Sequence, residues 1–141
     1  MNSTNTLPEQ KIKDFIKLAK GNLSYVQPEI KDKFHRLGRE VAKEIASLLG
    51  LSPGSYEIRS NKGGIAVSGE ITLHAEHLYI QFFRGERFLW RICRHNRDFS
   101  GLTNQWMSFD DLSNLETCCQ TWKLAMERYQ NSLLYPKFEY I

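Results

Sequence analysis

The chain changes its hydrophobic period at Ser52-Pro53-Gly54, and that change constrains the fold more than any other feature. Before the break, apolar residues recur every three or four positions. After it, they alternate. A chain that does both in turn is neither a plain helical bundle nor an all-β sandwich, so an α+β architecture is expected. Upstream, Ile12, Phe15, Ile16 and Ala19 line one side of a helix expected over residues 9–20 and closed by Gly21-Asn22. A second helix is expected over residues 28–49. Pro28 suits its first position, where a missing N–H has no partner to lose, and Gly50 supplies the stop. Ile30, Phe34, Leu37, Val41, Ile45 and Leu48 form its stripe. Gly38 interrupts that helix at a cost of about 1 kcal/mol relative to Ala, which points to a close approach by a neighbour.

Downstream of the break, Tyr56 and Ile58 alternate with Glu57 and Arg59, and Asn61-Lys62-Gly63-Gly64 supplies a turn. Ile65, Val67, Ile71 and Leu73 then point one way, with Ala66, Ser68, Glu70 and Thr72 pointing the other. Two further strands are expected over residues 77–84 and 87–95, joined by Gly85-Glu86 as a two-residue turn. That turn pairs Arg84 with Arg87 and sets Leu78 opposite Cys93, Ile80 opposite Arg91 and Phe82 opposite Leu89. The result is a four-stranded antiparallel meander. Residues 98–106 read as a polar loop, after which Ser108 caps a third helix with Asp110 and Asp111 in its first turn. Leu112, Leu115, Cys119, Trp122, Met126 and Tyr129 form that helix's stripe. Residues 1–141 are expected to form one domain, with a loose start over residues 1–8, a docked tail and the helices mainly on one sheet face.

Composition narrows the class. A hydrophobic fraction of 41% over 141 residues supports a core without disulfide or metal staples. No apolar run approaches the ~20 residues needed to cross a bilayer, and the polar opening has no export-signal core. Three cysteines, two of them adjacent at 118 and 119, make no disulfide framework, so the cytoplasm is the expected compartment. The net charge of +3 decides little, but residues 84–97 concentrate five arginines against one acid, Glu86.

Functional expectations rest on the sheet face turned away from the core. The two-residue turn puts Tyr79, Phe83, Phe88, Trp90 and Ile92 on that face, with Arg94 at its rim. A patch of this size needs cover, from the same chain, a partner protein or a stacked ligand. Tryptophan, tyrosine and arginine together resemble the desolvated centre of an interface. The leading expectation is therefore a small non-enzymatic interaction module that associates through this face with itself or another protein, most simply as a homodimer anchored by Trp90. One alternative is binding of single-stranded nucleic acid by stacking on the same rings. Another is a small anionic ligand near Arg91, which this register buries and so obliges to find an acceptor. His95, Asp98, Asn104 and Trp106 would complete that ligand site. His74, His77, Cys93 and His95 come nearest to a metal set, but their expected faces diverge, so no metal, cofactor or catalytic residue is assigned. No phosphate-binding loop, nucleophile elbow, dinucleotide fingerprint or zinc-protease motif is present.

Overall fold

The structure, a computed structural model, describes residues 7–21, 27–64, 67–94 and 104–134. Helices α1 (Glu9–Ala19) and α2 (Pro28–Leu48) precede five strands: β1 (Tyr56–Asn61), β2 (Glu70–Ala75), β3 (Leu78–Phe83), β4 (Arg87–Ile92) and β5 (Gln105–Ser108). A short 3-10 helix, Phe109–Ser113, leads into α3 (Leu115–Leu134). The strands form one antiparallel sheet in chain order. The α+β expectation holds, with five strands in place of four.

Both N-terminal helices bury the stripes their periodicity marks out. Phe15 of α1 lies at the centre, its ring 5.4 Å from Phe34 of α2, 5.1 Å from Phe82 and 5.9 Å from Phe109. Gly38 is the close approach its position implies. A Cβ there would stand 2.7 Å from Ile71 Cδ1 and 3.1 Å from Phe15 Cε1, so β2 and α1 both press on this turn of α2. At the other end of α2, Gly50 adopts φ +72° and its N–H donates to the Ser47 carbonyl, while the Leu51 N–H reaches back to that of Ala46. These bonds satisfy carbonyls the helix end would leave open. No described helix is long and apolar enough to cross a membrane.

The β3–β4 register differs from expectation by one residue. Leu78 faces Ile92, Tyr79 faces Arg91 and Ile80 faces Trp90, because the connection is the three-residue loop Arg84-Gly85-Glu86. A slip of one residue exchanges the two faces of a strand. Phe88, Trp90 and Ile92, expected outside, therefore point to the core with Leu78, Ile80 and Phe82. Leu89 and Arg91, expected inside, lie on the outer face. Phe88 is 0% exposed, with its ring 5.1 Å from Phe82 and 5.2 Å from Phe109. Trp90 and Ile92 are half-buried against the core, and Trp90 meets Trp122 of α3 at 6.4 Å. The cause lies outside the hairpin. At the end of α1, the Leu18 carbonyl accepts from Arg84 Nε at 2.9 Å and that of Ala19 accepts from the Gly85 N–H at 2.8 Å. The helix end needs donors, and the longer loop carries them there.

Three other departures follow local chemistry. β2 begins at Glu70 because Gly69, at φ +74°, turns the chain against the Asn61 carbonyl, where a Cβ would collide. Val67 is consequently exposed instead of core-facing. Residues 105–108, of which 105 and 106 were expected to end a loop, pair with β4 as an edge strand. The expected third helix is split in two: Ser108 Oγ accepts the Asp110 N–H and caps the 3-10 helix, whereas Asn114 Oδ1 accepts the Thr117 N–H and starts α3. Leu112, Leu115, Cys119 and Trp122 are buried, with Met126 and Tyr129 half-buried. Of the loose start expected over residues 1–8, residues 1–6 lie outside the described residues, as do Ile65, Ala66 and the chain from residue 135.

Candidate binding face

The helices pack on the core side of the sheet, through contacts such as Gly38 with Ile71 and Trp122 with Phe88 and Trp90. The opposite side is built from two cross-strand rows. One runs Glu57, His74, Tyr79, Arg91; the other runs Arg59, Thr72, Gln81, Leu89, Trp106. In the first row the Arg91 guanidinium lies 4.3 Å from the centre of the Tyr79 ring, close enough for a cation–π contact. Arg91 Nη1 also donates to Asn104 Oδ1 at 3.2 Å, just before β5 begins. Arg91 is only 7% exposed, and these contacts are among those that receive its guanidinium group. Burial pushes the Tyr79 hydroxyl pKa up, and the neighbouring Arg91 charge acts against that shift. The hydroxyl donates to Gln81 Oε1 at 3.3 Å, and the His74 ring stands edge-on to Tyr79 at 5.0 Å.

The second row ends at the sheet edge, where Trp106 is 51% exposed. Phe83 meets it edge-on at 6.0 Å, and the Arg87 guanidinium lies 5.8 Å from its ring. Carboxylates are confined to one side of this face. Glu57, paired with Arg59 at 2.6 Å, and Glu70 occupy β1 and β2, whereas β3 to β5 contain no carboxylate and carry Arg87 and Arg91. Rings, guanidinium groups and amides thus share this face of the sheet.

Of the residues singled out in the sequence, Tyr79, Phe83, Arg91, Asn104 and Trp106 meet on this face. Phe88, Trp90 and Ile92 do not, because the register turns them inward. Arg94 is exposed beyond the end of β4, and His95 and Asp98 lie outside the described residues. Arg84, not Arg91, is seen to donate to a helix-end carbonyl, that of Leu18. His77, expected on the outer face, instead sits by α3, with Nδ1 3.0 Å from the Cys93 carbonyl oxygen and its ring 5.9 Å from Tyr129. Among the described residues, no three His, Cys, Asp or Glu side chains come together as a metal site. Gln81 and Arg87 were expected on this face or at its rim, and Leu89 was missed. The signal for Leu89 was Arg91: the other parity stacks six apolar residues of β3 and β4 inside and buries no charge in the core.

No family identifies the chain. Compared with protein-family models, with curated proteins and with solved structures, it has no match.

Proposed function

We propose that the protein is a non-catalytic interaction module that associates through the outer face of β3, β4 and β5, most simply with a second copy of itself. The observation that carries this reading is Trp106, half-exposed at a sheet edge and flanked by Phe83 and Arg87. Tryptophan beside arginine supplies a disproportionate share of interface energy once water is excluded. The anchor therefore moves from Trp90 to Trp106. Self-association also suits the charge layout. A two-fold axis parallel to the strands would lay the β4–β5 half of one copy, with Arg87, over the β1–β2 half of the other, with Glu70. β5 is short and lies at the edge, so its free backbone side offers a second route to the same partner. The three buried, free thiols fit a reducing compartment such as the cytoplasm.

Sedimentation equilibrium of the wild type and Trp106→Ala tests the reading. Self-association at micromolar concentration, weakened about tenfold or more by the substitution, is the expected result. A wild type that stays monomeric throughout would overturn it. The carboxylate-free strands with three rings and two arginines support a second reading, binding of single-stranded nucleic acid. Fluorescence titration with an oligothymidylate at two salt concentrations separates the two, because only the second requires salt-sensitive quenching.

A further inference from the structure

A second site lies away from this face, where the end of α1, the first turns of α2 and the β3–β4 loop converge. They enclose an open cavity of about 400 Å³. Lys17 and Leu18 come from α1, Ile30 and Lys33 from α2, and Arg84 from the loop. Arg84 is the unusual member. It is 9% exposed, its Nε is committed to the Leu18 carbonyl, and its Nη1 is buried with no hydrogen-bond partner. Buried donors of a folded protein are nearly always satisfied, and those of a guanidinium bind anions most strongly. Gly21 makes room for this group, since a Cβ there would stand 2.6 Å from Arg84 Nη2.

The charge around the cavity points the same way. Lys17 and Lys33 have no ion pair among the described residues, and the one carboxylate on the rim, Asp14, accepts from Gln10 Nε2 at 2.9 Å. Three cations against one anion leave an excess of two, which a phosphoryl group near neutral pH matches. Leu18 and Ile30 add an apolar wall that a bare ion would not use. We propose that this cavity binds a phosphate ester, with its phosphoryl group held by Arg84, Lys17 and Lys33 and its organic part against Leu18 and Ile30. The site is independent of the outer sheet face and stands whether or not the chain self-associates.

Calorimetric titration with phenyl phosphate and with inorganic phosphate tests the assignment, with the Arg84 Nε–H resonance followed by NMR to locate the ligand. Phenyl phosphate is expected to bind saturably, to shift that resonance and to bind more tightly than inorganic phosphate. The double variant Lys17→Ala, Lys33→Ala alters two exposed side chains, so it should keep the fold and bind about tenfold more weakly or worse. Trp106→Ala should bind as the wild type does. Absence of saturable binding, binding that survives in the double variant, or equal affinity for the two ligands would overturn the proposal.

Discussion

The Gly85 N–H donates to the Ala19 carbonyl oxygen at 2.8 Å, tying the β3–β4 loop to the end of α1. That bond accompanies the three-residue loop and, with it, the parity of β4. The Gly85 amide should therefore exchange with solvent far more slowly than an ordinary turn amide, as hydrogen exchange by NMR can measure. Gly85→Pro removes the donor and strands a buried acceptor, at an expected cost of about 1–3 kcal/mol in denaturant unfolding. Exchange at the rate of an exposed loop would mean that the latch does not hold.

Helix propensity and packing make opposite predictions for Gly38→Ala. Propensity alone favours the substitution by about 1 kcal/mol. The added methyl would meet Ile71 Cδ1 at 2.7 Å, however, and overpacking a filled core costs about 1–3 kcal/mol. Net destabilisation is expected. Ile71→Val removes the offending Cδ1, so a double-mutant cycle should show the two substitutions partly rescuing each other. Additive effects would show that the contact at Ile71 is not what limits the site.

His35, fully buried on α2, should make stability depend on pH. One ring nitrogen, Nε2, lies 2.7 Å from the Ser68 carbonyl oxygen and must donate to it. Nδ1 then accepts from the Ser60 hydroxyl at 2.7 Å, and Ser60 Oγ in turn receives Arg39 Nη1 at 3.2 Å. This network specifies the neutral ring. Burial pushes the His35 pKa below its usual 6.5, the Ser68 carbonyl opposes the shift, and Lys62, Arg39 and Lys31 reinforce it. The unfolded chain therefore takes up the proton first as pH falls. Its stabilising contribution is complete above pH 6.5 and declines as pH drops through 6.5 towards the lower folded value. Urea midpoints measured at several pH values should show this loss in the wild type, and His35→Gln should flatten it. An unchanged slope in the variant would assign the effect elsewhere.

Thiol chemistry should report unfolding and nothing else. Burial pushes both Cys118 and Cys119 up to about 12, with Asp111 adding to the shift at Cys118 and the Cys118 charge adding to it at Cys119. The Cys118 thiol also donates to the Asp111 carbonyl at 3.2 Å. At neutral pH the reactive thiolate is then a fraction on the order of 10⁻⁵ of either group. A disulfide reagent should label neither residue in the native protein and both in denaturant. Prompt labelling of the folded protein would contradict their burial.

Much of the architecture was legible because it depends on neighbours along the chain. The stripes of α1 and α2, the stop at Gly50 and the close approach at Gly38 are local consequences of residue type and spacing. So was the antiparallel meander, whose alternation survives in β1, β2 and β3. The candidate face was legible only in part. Tyr79, Phe83, Arg91, Asn104 and Trp106 were recognisable as residues of interest, but half of the expected aromatic surface proved to be core.

The sequence by itself determined which segments become helices and strands and which side chains within each strand share a face. Alternation labelled β4's two faces without orienting them, and Arg91 was the only hint of which is inward. Tertiary structure decided that through α1, whose terminal carbonyls draw Arg84 and Gly85 into a loop one residue longer than the tightest turn. The same level of structure made residues 105–108 an edge strand, since a four-residue segment acquires strand geometry only from the partner it pairs with. Register is a long-range property, so hydrogen-bond demand at a helix end 66 residues away from Arg84 could turn Trp90 inward and leave Trp106 outside.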